Sequence, residues 1–288
     1  MSRVAHGDGV AISFDVEGRG APCLLIAGTM SDRTTWTPIR AGLSRHYTTV
    51  AFDNRDIGSS SLSPTGYTPA DLARDALAVL DAAEVPSAHV IGHSLGGQVA
   101  QELALLAPDR VDKLVLANTW ARTDQFLDQL FALWMRLRTV LVDDEDFLAA
   151  MSLGVLDGNP EAVTTLGDIV SVASERPQAP AAFLRNAEAD RAADTAGRLA
   201  DIRSLTLVIE SERDRIFAPR YARELIEGIP NCAHRQIANA GHMAMADQPE
   251  LFLASILEFL GTGAPNPSRS GRVEASGDDE KTRSRRHP

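Results

Sequence analysis

Several short apolar runs in this chain do not alternate with polar residues, and they constrain its fold more than any other feature. Residues 23–28 (CLLIAG), 47–53 (YTTVAFD), 88–94 (AHVIGHS), 113–119 (KLVLANT) and 204–211 (SLTLVIES) are all of this kind. A strand with one wet face alternates apolar and polar residues, whereas a strand covered on both faces does not, so these runs predict a mainly parallel sheet with helices on either side. The segments between them fit. Residues 36–46 read as a helix, and 69–82 carry Leu72, Ala76, Leu77 and Leu80 at helical spacing behind Pro69, which suits a first helical turn. Further helices are predicted at 98–107, closed by Pro108, at 219–227 and at 249–260, with a strand at 233–239. Ahead of all this, residues 10–16 read as a strand followed by Gly18, Gly20 and Pro22, so a hairpin across that turn is expected to open the fold.

The alternation stops between 123 and 201, where helices are predicted at 123–141, 145–156, 160–175 and 180–199. Such a break reads as a helical insertion seated on the sheet. The expected organisation is therefore a core of 1–122 and 202–260, an inserted cap of 123–201, and a tail of 261–288. The tail has one valine and no other large apolar side chain, so it cannot offset its ordering entropy and is expected to be disordered.

Composition narrows the function. The formal charge is −11, from 28 basic and 39 acidic residues, which argues against tracking a phosphate backbone. Cys23 and Cys232 lie far apart without metal-ligand spacing, so two buried thiols are expected rather than a disulfide framework or a zinc site. No apolar signal region opens the chain and no run of 18 or more apolar residues occurs; a cytoplasmic location without membrane attachment is expected.

The chemistry centres on Gly92-His93-Ser94-Leu95-Gly96, a G-x-S-x-G between a predicted strand and a predicted helix. On so sharp a turn the serine hydroxyl projects above the sheet, and the helix start turns backbone N–H groups toward a developing anion. Serine is a weak nucleophile, so it needs a base, usually histidine, held in turn by a carboxylate. His242 follows the last predicted strand, in a loop at the sheet edge that also carries Ser94. His93, beside the serine, is expected to point elsewhere, and His6, His46, His89, His234 and His287 fit surface or packing roles. Asp214 lies just past the strand at 204–211, with Glu210 and Glu212 as neighbouring alternatives; Glu210 belongs to the strand itself and Glu212 would leave the loop early, which favours Asp214. The order Ser94, Asp214, His242 is the one expected for this chemistry on such a sheet.

With these residues in hand, the stretch from about 10 to 260 resembles the α/β-hydrolase superfamily. Ala27-Gly28-Thr29-Met30 stands where members usually have His-Gly-X, so the resemblance implies that Thr29 supplies one oxyanion-hole N–H and Leu95 the second. Trp36 stands where many members start their first helix with tryptophan. Phe52 to Ser60 looks like the family's D-x-R-G-x-G-x-S turn, with Asp56 replacing a glycine as in the methylesterase subgroup; the general layout is also similar to the enol-lactonases. Ala27 replaces a histidine that braces the oxyanion loop, which leaves open how that loop is held. Position 118 is Asn rather than the acid some subfamilies place there, which again favours Asp214. The family's cap corresponds to 123–201. Of its apolar side chains, Phe126 and Trp134, with Trp120 and Met243, are the expected pocket wall; Phe131, Met135, Phe147 and Met151 could equally build cap core.

The resulting expectation is a serine hydrolase for a small apolar ester or lactone, using Ser94, His242 and Asp214, without metal or organic cofactor, as a monomer or homodimer. Two alternatives stand beside it. One is a lyase, cyclase or C–C-bond-cleaving enzyme on the same fold, and the other a ligand-binding module with a vestigial triad.

Overall fold

The computed structural model describes residues 3–141, 146–148, 150–151 and 178–261. Most of the helix predicted at 145–156, all of that at 160–175, and the tail beyond Gly261 lie outside these residues. Eight strands, β1 (Arg3–Gly7), β2 (Val10–Gly18), β3 (Ala21–Ile26), β4 (Tyr47–Phe52), β5 (Ala88–His93), β6 (Val111–Ala117), β7 (Leu205–Ser211) and β8 (Cys232–Ile237), form one sheet in the order β1-β2-β4-β3-β5-β6-β7-β8. From β4 to β8 every pairing is parallel, and only β1 and β2 run antiparallel to their neighbours.

The opening hairpin differs from expectation. β2 does not turn back onto β3, because β4 lies between them; its hairpin partner is β1. β1 reads RVAHG, an edge strand with only Ala5 and Gly7 buried, and so carries little of the apolar signal by which strands are recognised.

Each inner strand sends successive side chains to opposite faces. Leu24 and Ile26 of β3 join one apolar cluster and Cys23 and Leu25 the other; on β6, Leu114 and Leu116 are separated in the same way from Val115 and Ala117. The first cluster is covered by α2 (Pro69–Ala82), α3 (Leu95–Leu106) and, near β7, α6 (Pro219–Gly228); the second by α1 (Thr37–Leu43), the single turn α7 (Ala244–Asp247) and α8 (Pro249–Leu260). Double coverage is why the strands read as unbroken apolar runs. Local signals set the helix ends. At α2, Thr68 accepts from the Asp71 N–H while the Asp71 carboxylate accepts from the Thr68 N–H (2.7 Å), a reciprocal cap. α8 ends at Gly261, whose φ of +101° closes the last turn.

Between β6 and β7 lie α4 (Gln125–Val140) and α5 (Pro180–Arg191), packed on each other. The chain leaves and re-enters the sheet at one place: the Thr123 N–H donates to Ala193 O (2.9 Å) and the Thr195 N–H to Ala121 O (2.8 Å). The helix predicted over 180–199 therefore stops at Arg191. Residues 193–195 pair with 121–123 instead, and a 3₁₀ turn, Ala196–Asp201, leads back to the sheet.

Candidate active site

Three loops at the C-terminal ends of β5, β7 and β8 meet over one edge of the sheet. Ser94 follows β5 immediately and adopts φ +55°, ψ −124°, a conformation that L side chains rarely take and that must be imposed by packing. Its N–H donates to Ala117 O (3.0 Å), and its carbonyl accepts from the Gly97 N–H and the Thr119 hydroxyl (2.8 Å each). Glycine is required at 96 because a Cβ there would collide with the carbonyl oxygen of Ile26. Gly28 brings the loop after β3 against the serine: a Cβ at 28 would stand 2.8 Å from the Ser94 Cβ. Neither the Thr29 nor the Leu95 N–H donates to an acceptor among the described residues, whereas the Met30 N–H is taken by Asn186 Oδ1 (3.2 Å).

His242 and Asp214 face each other from the loops after β8 and β7. His242 Nδ1 lies 2.9 Å from Asp214 Oδ2, and both side chains are buried. The carboxylate is further bound by Asn118 Nδ2 at Oδ2 (2.8 Å) and by the Ile216 and Phe217 N–H groups at Oδ1 (2.8 and 3.0 Å). Burial alone would raise its pKa; the His242 partner and the Asn118 and Phe217 donors outweigh burial and hold it below the usual carboxylate range. Because an ionised carboxylate only accepts, Nδ1 carries a proton and donates it to Asp214. The alternatives Glu210 and Glu212 are not brought to His242: Glu210 binds His234 (3.0 Å), and Glu212 accepts the Asn239 N–H (2.8 Å).

His93 does not point away from this group as expected. Its ring packs on that of His242, with centroids 4.7 Å apart, and its Nε2 lies 2.9 Å from the His242 carbonyl oxygen. A carbonyl can only accept, so His93 is a donor at Nε2. Burial pushes its pKa down to about 3, so it is neutral and its tautomer is defined.

Aromatic side chains surround the pair. Phe217 packs 5.4 Å from His242 and stacks on the fully buried Trp120 at 4.7 Å and 13°. Phe131 connects Trp120 to Trp134, at 5.8 and 5.4 Å. Phe126 is not gathered with them: it is 52% exposed on α4, with the Arg220 guanidinium over its ring. Met243 is half-buried against the second apolar cluster.

A second carboxyl meets the loop after β3. Asp190, on α5, is fully buried and accepts the Thr29 hydroxyl (2.9 and 2.7 Å); burial, only partly opposed by Thr29, raises it to about 8. Sequence reasoning passed over Asp190 and Phe217, noted Asn118 only for what it was not, and set His93 aside as pointing elsewhere. Among the described residues, no three His, Cys, Asp or Glu side chains are gathered as a metal would need, and no helix is long and apolar enough to cross a membrane.

Comparison with known proteins agrees with this fold. The sequence profile of the family described as alpha/beta hydrolase fold matches residues 24–249. A provisionally named carbamate hydrolase, RutD, of Azorhizobium caulinodans is 33% identical over 266 residues, covering 89% of this chain and 97% of its own. Among solved structures, a hydrolase from Pseudomonas aeruginosa PA01 superposes with a TM-score of 0.79 at 28% identity, covering 90% of this chain and 98% of its own. The enol-lactonase of Burkholderia xenovorans LB400 does so with a TM-score of 0.78 at 24% identity, covering 90% and 99%, a likeness of fold.

Proposed function

This chain belongs to the α/β-hydrolase family and is an enzyme of that fold, and from that premise we propose that it is a serine hydrolase for a carboxylic ester or lactone. The observation that carries the reading is the buried Asp214–His242 bond of 2.9 Å, on loops at the same end of the parallel strands as a serine held at positive φ. In the proposed reaction Ser94 Oγ attacks the carbonyl carbon while His242 Nε2 takes its proton. The tetrahedral intermediate collapses as His242 returns the proton to the leaving alkoxide. Water, activated by the same nitrogen, then hydrolyses the acyl-enzyme. Asp214 fixes the tautomer and stabilises the imidazolium. The Thr29 and Leu95 N–H groups, the latter at the start of α3, hold the oxyanion; one such donor contributes ~2.7–4 kcal/mol of transition-state stabilisation.

The segment 123–201 acts in this reading as a cap. Trp120 and Trp134, with Phe217 added, form the apolar wall, which suits an uncharged acyl group. Carbamate hydrolysis is the second reading, favoured by the 33% identical relative, and needs no change in the attacking group. Ser94→Ala is expected to abolish turnover of p-nitrophenyl acetate and butyrate; undiminished turnover would refute the assignment. Running esters, lactones and carbamates on the wild type beside that variant separates the two substrate classes.

A further inference from the structure

The loop after β3 has little of its own to hold it. Ala27 has no polar side chain; from the core Asn54 Nδ2 donates to Ala27 O (3.1 Å), and within the loop the Ser31 N–H donates to Gly28 O (3.2 Å) and the Ser31 hydroxyl to Thr29 O (3.4 Å), so all three end on carbonyls and none holds the Thr29 side chain or the Met30 N–H. Met30 sits at φ +61°, a conformation that a residue with a side chain keeps only when its surroundings enforce it.

The enforcement comes from α5. Asn186 and Asp190 are four residues apart and so project from one face of that helix. Asn186, fully buried, accepts the Met30 N–H through Oδ1 and donates through Nδ2 to the Tyr67 hydroxyl (3.0 Å). Asp190 takes the Thr29 hydroxyl, and its own carbonyl accepts from the Thr123 hydroxyl (2.6 Å), which in turn accepts the Trp120 indole N–H (2.9 Å). A buried carboxyl is costly unless it is partnered, and the partner supplied here is the side chain of Thr29, the residue whose N–H the proposed reaction uses to hold the oxyanion.

We propose that Asp190 and Asn186 are positioning residues for the oxyanion loop: α5 of the inserted segment aims the Thr29 amide at the reacting carbonyl, a task for which Ala27 provides nothing. The inference rests on the serine hydrolase reading and on Thr29 as an oxyanion donor. It makes the insertion part of the catalytic geometry as well as a wall for substrate. A donor misplaced by a fraction of an ångström loses its hold on the transition state while ground-state binding is little changed.

The test is steady-state hydrolysis of p-nitrophenyl butyrate by the full chain and by Asp190→Ala, Asp190→Asn and Asn186→Ala, with melting temperatures measured alongside. We expect Asp190→Ala and Asn186→Ala to lower kcat about 10- to 100-fold with KM within about twofold. Asp190→Asn retains an oxygen to accept the Thr29 hydroxyl and should regain most of that loss. Wild-type kcat in Asp190→Ala, a change in KM alone, or no recovery in Asp190→Asn would each overturn the proposal. Should Asp190→Ala fail to fold, Asn186→Ala and Asp190→Asn decide it by the same kcat criterion. Ser94→Ala, run in parallel, separates the two readings. Turnover surviving there overturns the hydrolase assignment and this inference with it, whereas an inactive Ser94→Ala beside a fully active Asp190→Ala overturns this inference alone.

Discussion

Individual residues here differ in how far their role depends on distant partners. Ser94 was legible because its signal is local: glycines at fixed spacing around a serine, between an apolar run and a helix. Asp214 and His242 were legible at one remove, since a parallel sheet brings the loops after its strands to one edge. Asn118 and His93 were not, because their partners lie 96 and 149 residues away in the chain. Asp214→Asn is expected to lower kcat by on the order of 10⁴, because the amide can present its NH₂ to Nδ1 and favour the wrong tautomer; burst kinetics and steady-state rates check it. Asp190 yields a prediction about stability. Its carboxyl titrates near 8 in the native state against an ordinary 3.8, so the folded chain holds a proton that the unfolded chain has released between those values. The contribution is therefore greatest below about pH 4 and is lost as pH rises toward 8. The melting temperature of Asp190→Asn relative to wild type should rise across that window; a constant difference would show that Asp190 is ionised throughout.

Among the elements, α5 carries the inserted segment's contacts to the loops after β3 and β4. Besides Asn186 and Asp190 it carries Arg185, which grips Asp56 with two hydrogen bonds (2.8 and 2.6 Å). Asp56 stands at φ +69°, where glycine is usual, and its Oδ1 also accepts the Ser63 N–H (2.8 Å). The departure from the family's glycine thus has a physical counterpart: local strain accepted for a charge that meets the insertion. Arg185→Ala leaves that carboxylate buried without its charged partner and should cost about 3 kcal/mol. The double variant with Asp56→Gly should cost less than Arg185→Ala alone, because it removes both the unpaired charge and the strained side chain. Chemical denaturation of the three variants measures this, and additive losses would show that the two residues act independently. Helix ends marked by Pro69, Pro108 and Pro249 were readable from the sequence. The end of α5 at Arg191 was not, because the pairing of 193–195 with 121–123 overrides a helical pattern that would otherwise run on.

For the molecule as a whole, the two apolar clusters on either side of one sheet account for the fold. The body through residue 260 carries −13 and the remaining 28 residues +2, from six basic and four acidic side chains. A chain truncated after Gly261, where α8 is already capped, is expected to keep the melting temperature and ester turnover of the full chain; a fall in either would assign the tail a packing role. By itself the sequence determined the doubly covered parallel sheet, the strand-to-helix turn at Ser94 and the loops that carry Asp214 and His242. These follow from short-range rules, because burial on two faces and sharp turns leave their mark within a few residues. Only the tertiary structure decided which strand partners β2, what holds Asp214 ionised, and that the loop at Thr29 is gripped from α5. Each depends on side chains that meet across 28 to 161 residues of chain, or on which edge a strand joins, and no local pattern of residue types records such a meeting.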